Sequence, residues 1–318
     1  MGGVLLRIFG AALMLTALTL PLLRAPDRDV QSLVARWAPP PSDFLDLRGQ
    51  LVHYRDEGPR NDPLPIVLLH GTSSSLHTWE GWAKALRGRR RVISFDLPGF
   101  GLTGPWAGAY AGALYDGEHY ARFTLDVLAE LKVARFAIGG NSLGGEVAWR
   151  VAALVPQRVD RLLLVDAAGY AFAPSTVPLG WRLATLPGAD RVLPHLLPRP
   201  LVTSGLVDVY GDPGRIDDAL VDRYFELSLR TGNRLALIER LRQPWRASDE
   251  AMIATLKLPT LILWGGRDRV IPPEIGRRFE RDIVGSRLII FEPLGHVPQE
   301  EDAAVTAAVA KAFLGPAR

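Results

Sequence analysis

Six short apolar runs, each four to six residues long, constrain this chain more than any other feature. They fall at residues 66–70, 91–96, 135–139, 161–166, 260–264 and 288–291, separated by stretches long enough to hold helices. A strand that is apolar along its whole length must be covered on both faces. That is the situation of a strand in a parallel sheet flanked by helices. Two further runs, 44–48 and 51–56 around Gly49, read as a hairpin. An antiparallel start followed by βα alternation predicts an α/β chain, with an eight-stranded, mostly parallel sheet and helices on both faces. Candidate helices cover residues 76–86, 117–131, 143–154, 274–282 and 303–313.

One connection breaks the rhythm. Roughly ninety residues separate Asp166 from Thr260 without a convincing strand, and a connection of that length inside a compact domain is usually a lid or an inserted subdomain. The stretch is rich in Leu, Pro and Arg and has amphipathic helical pieces at 215–229 and 235–241. Ligands of open α/β sheets bind beyond the carboxyl ends of the strands, so a helical insert leaving such an end would roof the crevice.

The ends and the charge add location and partners. Residues 4–23 are apolar apart from Arg7, Thr16 and Thr19, and as a helix they would extend about 30 Å, enough to span a hydrocarbon core. A cleaved signal peptide with an apolar region at 8–23 is the alternative, but Leu23-Arg24-Ala25 matches a small-x-small cleavage site poorly. The reading is a membrane anchor or signal segment over residues 1–25. A spacer follows over 26–42, with helical spacing at 30–37 and prolines at 39–41. The placement at the extreme N-terminus leans towards export of the rest of the chain across the membrane, although Arg7, Arg24 and Arg28 leave the orientation open. Net charge is only +3, and the basic run Arg87-Gly-Arg-Arg-Arg91 reads as a solvated helix end, so nucleic acid is not an expected partner. With no cysteine, thiolate zinc sites and a cysteine nucleophile are ruled out.

The chemistry is concentrated at the ends of the apolar runs. Residues 139–145 read Gly-Gly-Asn-Ser-Leu-Gly-Gly, which puts Ser142 between a strand and a helix with Gly140 and Gly144 on either side. A serine on a sharp strand-to-helix turn exposes its hydroxyl at a helix N-terminus, where backbone N–H groups favour negative charge. It still needs a base, and the base needs an orienting acid. Of six histidines, His296 lies in a loop just past the last strand. His70 and His53 are strand residues, His77 and His119 stand in helix-start contexts, and His195 lies in the insert. For the acid, Asp268 closes Trp264-Gly-Gly-Arg-Asp268, and the glycines before it allow a close turn. Asp166, also at a strand end, competes for the role, and Asp96 reads as a loop-stabilising carboxylate. An oxyanion formed at Ser142 would meet the backbone N–H of Leu143 and, from the loop His70-Gly71-Thr72, the N–H of Thr72.

From about residue 43 to residue 313 the chain resembles the α/β-hydrolase fold superfamily with a helical cap. The resemblance rests on His70-Gly-Thr72, Asp96-Leu-Pro-Gly-Phe-Gly101, Gly140-Asn-Ser-Leu-Gly-Gly145, Gly265-Gly-Arg-Asp268 and Gly295-His-Val-Pro-Gln-Glu300, all in that family's order. It implies Ser142, Asp268 and His296 as a catalytic triad, Thr72 and Leu143 as the oxyanion hole, and no metal or organic cofactor. It also implies a hydrolase core at 43–170 and 251–318, with the cap at 171–250.

Within that superfamily, a serine at the elbow differs from haloalkane dehalogenases and epoxide hydrolases, which carry aspartate there. The form Gly140-Asn141-Ser142 resembles the meta-cleavage-product hydrolases, which cut a carbon–carbon bond. Those enzymes usually carry Trp after the histidine, where this chain has Val297, and a cap arginine, for which Arg230 and Arg234 are available. The expected function is therefore serine hydrolysis of a small-molecule carboxylic ester. Leu179, Trp181 and Leu183 suggest an apolar acyl group. Carbon–carbon hydrolysis is the alternative, and a non-catalytic ligand-binding protein of the same fold is a reading of another class.

Overall fold

Strands β1 (Ser42–Leu47) and β2 (Gln50–Glu57) form the antiparallel hairpin expected around Gly49. Arg48 and Gly49 take φ of 56° and 87°, the pair of left-handed residues that a tight hairpin turn requires. The remaining strands are β3 (Ile66–Leu69), β4 (Val92–Phe95), β5 (Phe136–Asn141), β6 (Val159–Val165), β7 (Thr260–Gly265) and β8 (Arg287–Phe291). Together they make one eight-stranded sheet in the order β1-β2-β4-β3-β5-β6-β7-β8. β2 runs antiparallel to β4, and every pairing from β4 to β8 is parallel.

This computed structural model describes residues 23–172, 174–243 and 249–315, with the isolated residues 10 and 14. The apolar segment read as an anchor therefore lies almost wholly outside the described residues. Among those described, no helix is long and apolar enough to cross a membrane.

Strands β3, β4, β5 and β7 are buried along their whole length, as their composition demands, whereas the apolar run of β8, at the sheet edge, is only half-buried. One face packs on helices Gly117–Glu130, Leu143–Leu154 and Pro273–Asp282 through Phe123, Trp149 and Phe279. The other packs on Glu80–Leu86 and Ala303–Leu314 through Trp82, Ala307 and Leu314. The helix expected at 76–86 is split: Leu76–Trp79 is a tighter 3-10 turn and the α-helix starts at Glu80. Asp96 accounts for the pinned start, because its Oδ1 accepts from the Leu76 N–H at 2.7 Å.

The arginine run is a solvated helix end only in part: Arg87 and Arg89 are exposed just past helix Glu80–Leu86. Arg90 instead pairs with Asp62 and Arg91 with Asp56, because the entry to β4 brings those carboxylates alongside. Residues 26–42, read as a spacer, carry a docked helix. Helix Val30–Trp37, capped by Asp29, buries Leu33 in a cluster with Leu102 of the core and Leu227 of the insert. Its Trp37 donates to Glu226 at 2.6 Å, and Arg36 reaches Asp222 and Glu226. An amphipathic helix needs a partner for its apolar face, and the insert supplies one.

The connection between β6 and β7 holds helices Leu179–Ala184, Ala189–Val192, Arg199–Val209, Asp218–Ser228, Asn233–Leu241 and Glu250–Ile253. The N-terminal chain is laced to this cap. Ala25 N–H donates to His195 O at 3.0 Å, Arg28 N–H to Leu229 O at 2.7 Å, and Thr231 N–H to Arg28 O at 2.8 Å.

Candidate active site

Ser142 stands between β5 and helix Leu143–Leu154 with φ 54° and ψ −117°, a left-handed conformation that costs energy in a residue with a side chain. Its backbone is held from three sides. Ser142 N–H donates to Val165 O, and Ser142 O accepts from Glu146 and Ala168 N–H. The glycines are sterically required. A Cβ on Gly140 would collide with the Gly144 backbone, one on Gly144 with the Leu69 and His70 carbonyls, and one on Gly145 with Ala167. The N–H of Leu143, first in the helix, has no acceptor within that helix.

Asp268 and His296 meet behind the serine. His296 Nδ1 and Asp268 Oδ2 are 2.7 Å apart, and both residues are buried. Asp268 Oδ1 accepts from Val270 and Ile271 N–H at 2.8 and 2.9 Å, so the carboxylate is fixed by the turn that follows β7. With its Nδ1 proton on Asp268, His296 presents Nε2 as an acceptor. That atom is buried and has no hydrogen-bond partner among the described residues. Ser142 and His296 line one cleft.

Asp166, the rival acid, belongs to the same cluster but points elsewhere. Its Oδ1 accepts from Gly265 N–H at 2.9 Å, and its buried Oδ2 has no hydrogen-bond partner among the described residues. Complete burial, then the Asp268 charge beside it, raises the Asp166 carboxyl well above the usual range, which favours its neutral form. Asp166, Asp268 and His296 offer ligand-type atoms within 4.8 Å of one another. Such a group could hold a cation, but His296 Nδ1 and Asp268 are already engaged with each other.

Thr72 lies on the loop after β3 and lines the cleft beside Gly71 and Ser142. A Cβ on Gly71 would press on Asn141 Oδ1 and Ser142 Cβ at 2.9 and 3.1 Å, so only glycine lets this loop pass so close to the elbow. The loop is tied to the cap: Trp181 Nε1 donates to Ser73 Oγ at 3.2 Å, and Ser74 Oγ lies 3.3 Å from Tyr224 OH. The cleft has a volume of about 160 Å³ and apolar cap walls that include Leu201, Leu206, Leu237 and Ile238. Of the three residues expected to meet an acyl group, Trp181 lines it; Leu179 is instead 47% exposed.

Residues 65–303 match the α/β hydrolase fold family. The chain belongs to the α/β-hydrolases. An uncharacterized protein of Mycobacterium tuberculosis (strain ATCC 25618 / H37Rv) is 32% identical to this hydrolase over 298 residues, covering 88% of this chain and 80% of the relative. The 2-hydroxymuconate semialdehyde hydrolase of Pseudomonas sp. (strain CF600) is 30% identical over 263 residues, covering 80% and 87%. Among solved structures, a membrane phospholipase A described as a bacterial virulence factor superposes with a TM-score of 0.72 at 24% identity, covering 98% of this chain and 96% of the other.

Motif reading passed over Glu301. Glu301 accepts from Gly295, Gly211 and Asp212 N–H at 2.7, 3.0 and 2.8 Å, locking the His296 loop to the cap. Two consecutive glutamates so soon after His296 were the available signal. Asn141 donates through Nδ2 to Val165 O and His296 O, so its amide ties the elbow to the histidine backbone. Arg230 is occupied with the Thr103 and Thr231 carbonyls. Arg234 lines the cleft, gives Nη2 to Asp27 at 2.6 Å, and leaves Nε and Nη1 without partners among the described residues.

Proposed function

We propose that this hydrolase cleaves carboxylic esters carrying an apolar acyl group, through an acyl-enzyme on Ser142. The observation that carries the reading is the apolar cleft beside Ser142 and His296. His296 Nε2 takes the Ser142 hydroxyl proton as Oγ attacks the ester carbonyl. The N–H groups of Leu143 and Thr72 receive the oxyanion. Asp268 stabilises the imidazolium, and His296 then protonates the departing alcohol as the C–O bond breaks. Water, deprotonated by His296, attacks the acyl-serine. Collapse releases the acid and returns the proton to Ser142. A series of p-nitrophenyl esters of increasing acyl length tests this. Wild type should hydrolyse them at least a thousandfold faster than Ser142→Ala. Equal rates would refute the reading. Labelling by a fluorophosphonate, lost in Ser142→Ala, separates a hydrolase from an inert binding protein of the same fold.

Carbon–carbon hydrolysis is the second reading. It draws on the 30% identity to the semialdehyde hydrolase and on the free Arg234 nitrogens at the cleft, which suit a substrate carboxylate. Asn141 lends it less weight, since its amide is spent on backbone carbonyls. A dienone acid assayed beside the esters decides between the two. We further propose that residues 4–23 anchor the protein with its catalytic domain on the exported side; fractionation and protease protection of intact cells test that placement.

A further inference from the structure

The cap turn that walls the cleft is also the place where the apolar N-terminal segment leaves the described fold. Leu193, Leu196 and Leu197 line the cleft. Arg24 pairs with Leu196 in an antiparallel bridge, and Leu197 N–H donates to Leu23 O at 3.3 Å. Leu23 and Arg24 thus meet the cap at the cleft wall. The cap elements next to this turn expose apolar side chains: Leu179 is 47%, Leu186 53% and Val192 52% exposed. Arg24, Arg182 and Arg191 are exposed among them, whereas Arg199 is spent on Asp218 and Asp222 and Asp190 on Arg242. Apolar side chains interleaved with arginines suit a bilayer interface with anionic headgroups, where the leucines enter the acyl boundary and the guanidiniums meet phosphates.

We infer that the cap rim from Leu179 to Leu197 lies on an anionic membrane surface, and that the cleft takes its ester from a lipid resident in that bilayer. This rests on the ester reading of the site and narrows its substrate to membrane acyl lipids. The lipid tail passes from the bilayer along Leu193, Leu196 and Leu197 into the apolar cleft.

The absence of cysteine permits a direct test. Full-length protein carrying Leu186→Cys, labelled with an environment-sensitive fluorophore, is placed in phosphatidylglycerol–phosphatidylcholine nanodiscs containing spin-labelled lipid. Val284→Cys is the control; Val284 is 85% exposed and precedes β8, at the sheet end opposite the cap. Quenching at least threefold stronger at position 186 than at 284 supports the inference. Equal quenching, or burial of position 186 in a dimer without lipid, overturns it. This readout needs no catalysis, so it can fail or succeed independently of the ester reading. In assays, Leu186→Glu/Val192→Glu should hydrolyse a water-soluble butyrate ester within twofold of wild type but a bilayer phospholipid at least tenfold more slowly. Parallel changes on the two substrates would overturn the inference, whereas a wild type inert towards both would refute the ester reading.

Discussion

At the scale of single residues, Asp166 shows how a site depends on groups that never touch substrate. It sits at the end of β6, where its Oδ1 accepts from the Gly265 N–H of β7 beside the Asp268 carboxyl. Burial and the Asp268 charge favour its neutral form, so it adds no second charge there. Asn can keep the bond from Gly265 without a charge. Asp166→Asn should therefore keep kcat/KM within about threefold, a cost below 1 kcal/mol. Asp166→Leu leaves the buried Gly265 N–H without its acceptor and should lose tenfold or more. Equal effects of the two substitutions would assign Asp166 a packing role only. Ser142, Asp268 and His296 each carry a local signal in the sequence: flanking glycines, a strand end, a loop after the last strand. In the structure Asp268 meets His296, and Ser142 and His296 line one cleft. The bond from Gly265 to Asp166 has no such signal, since it arises only when β6 and β7 become neighbours in the sheet.

At the scale of elements, the strands and most helices follow from periodicity, and the inserted cap follows from a long stretch without strands. What periodicity could not supply was the partner of an amphipathic helix. Val30–Trp37 has helical spacing and an aspartate cap, yet its place between Leu102 and Leu227 is a contact across some two hundred residues of sequence. That burial has a measurable consequence. Leu33 is 1% exposed, so Leu33→Ala should destabilise the protein by about 2–5 kcal/mol in urea unfolding. A loss below about 0.5 kcal/mol would mean the helix is not docked in solution.

At the scale of the whole molecule, buried histidines link the fold to pH. Burial drives the His77 imidazole down to about 3 and lowers His70 as well. Both stay neutral when folded, whereas an unfolded chain protonates them near 6.5. Between that value and about 3 the unfolded state binds the extra proton at His77, so stability falls as the medium is acidified. His77→Gln should flatten the dependence of unfolding free energy on pH in this window by up to about 1.4 kcal/mol per pH unit, as read by urea titrations at several pH values. An unchanged slope would show that His77 is accessible when folded. Asp96 works in the same direction at lower pH. Burial opposes its charge, but the His53 ring and the Leu76 and Leu102 N–H groups that meet its oxygens hold its carboxyl below the usual range, and that contribution disappears once Asp96 is protonated.

The lacing of residues 25–28 to the cap gives that subdomain a third mooring. A cap joined only through the chain leaving β6 and the chain entering β7 could swing as a door on two adjacent hinges. One stitched also along an opposite seam cannot lift as a whole without tearing backbone hydrogen bonds. Traffic into this hydrolase must then resemble passage through a louvre, with short helices and side chains tilting singly while the frame stays shut. Proteolysis in the seam would free the frame and turn the louvre back into a door.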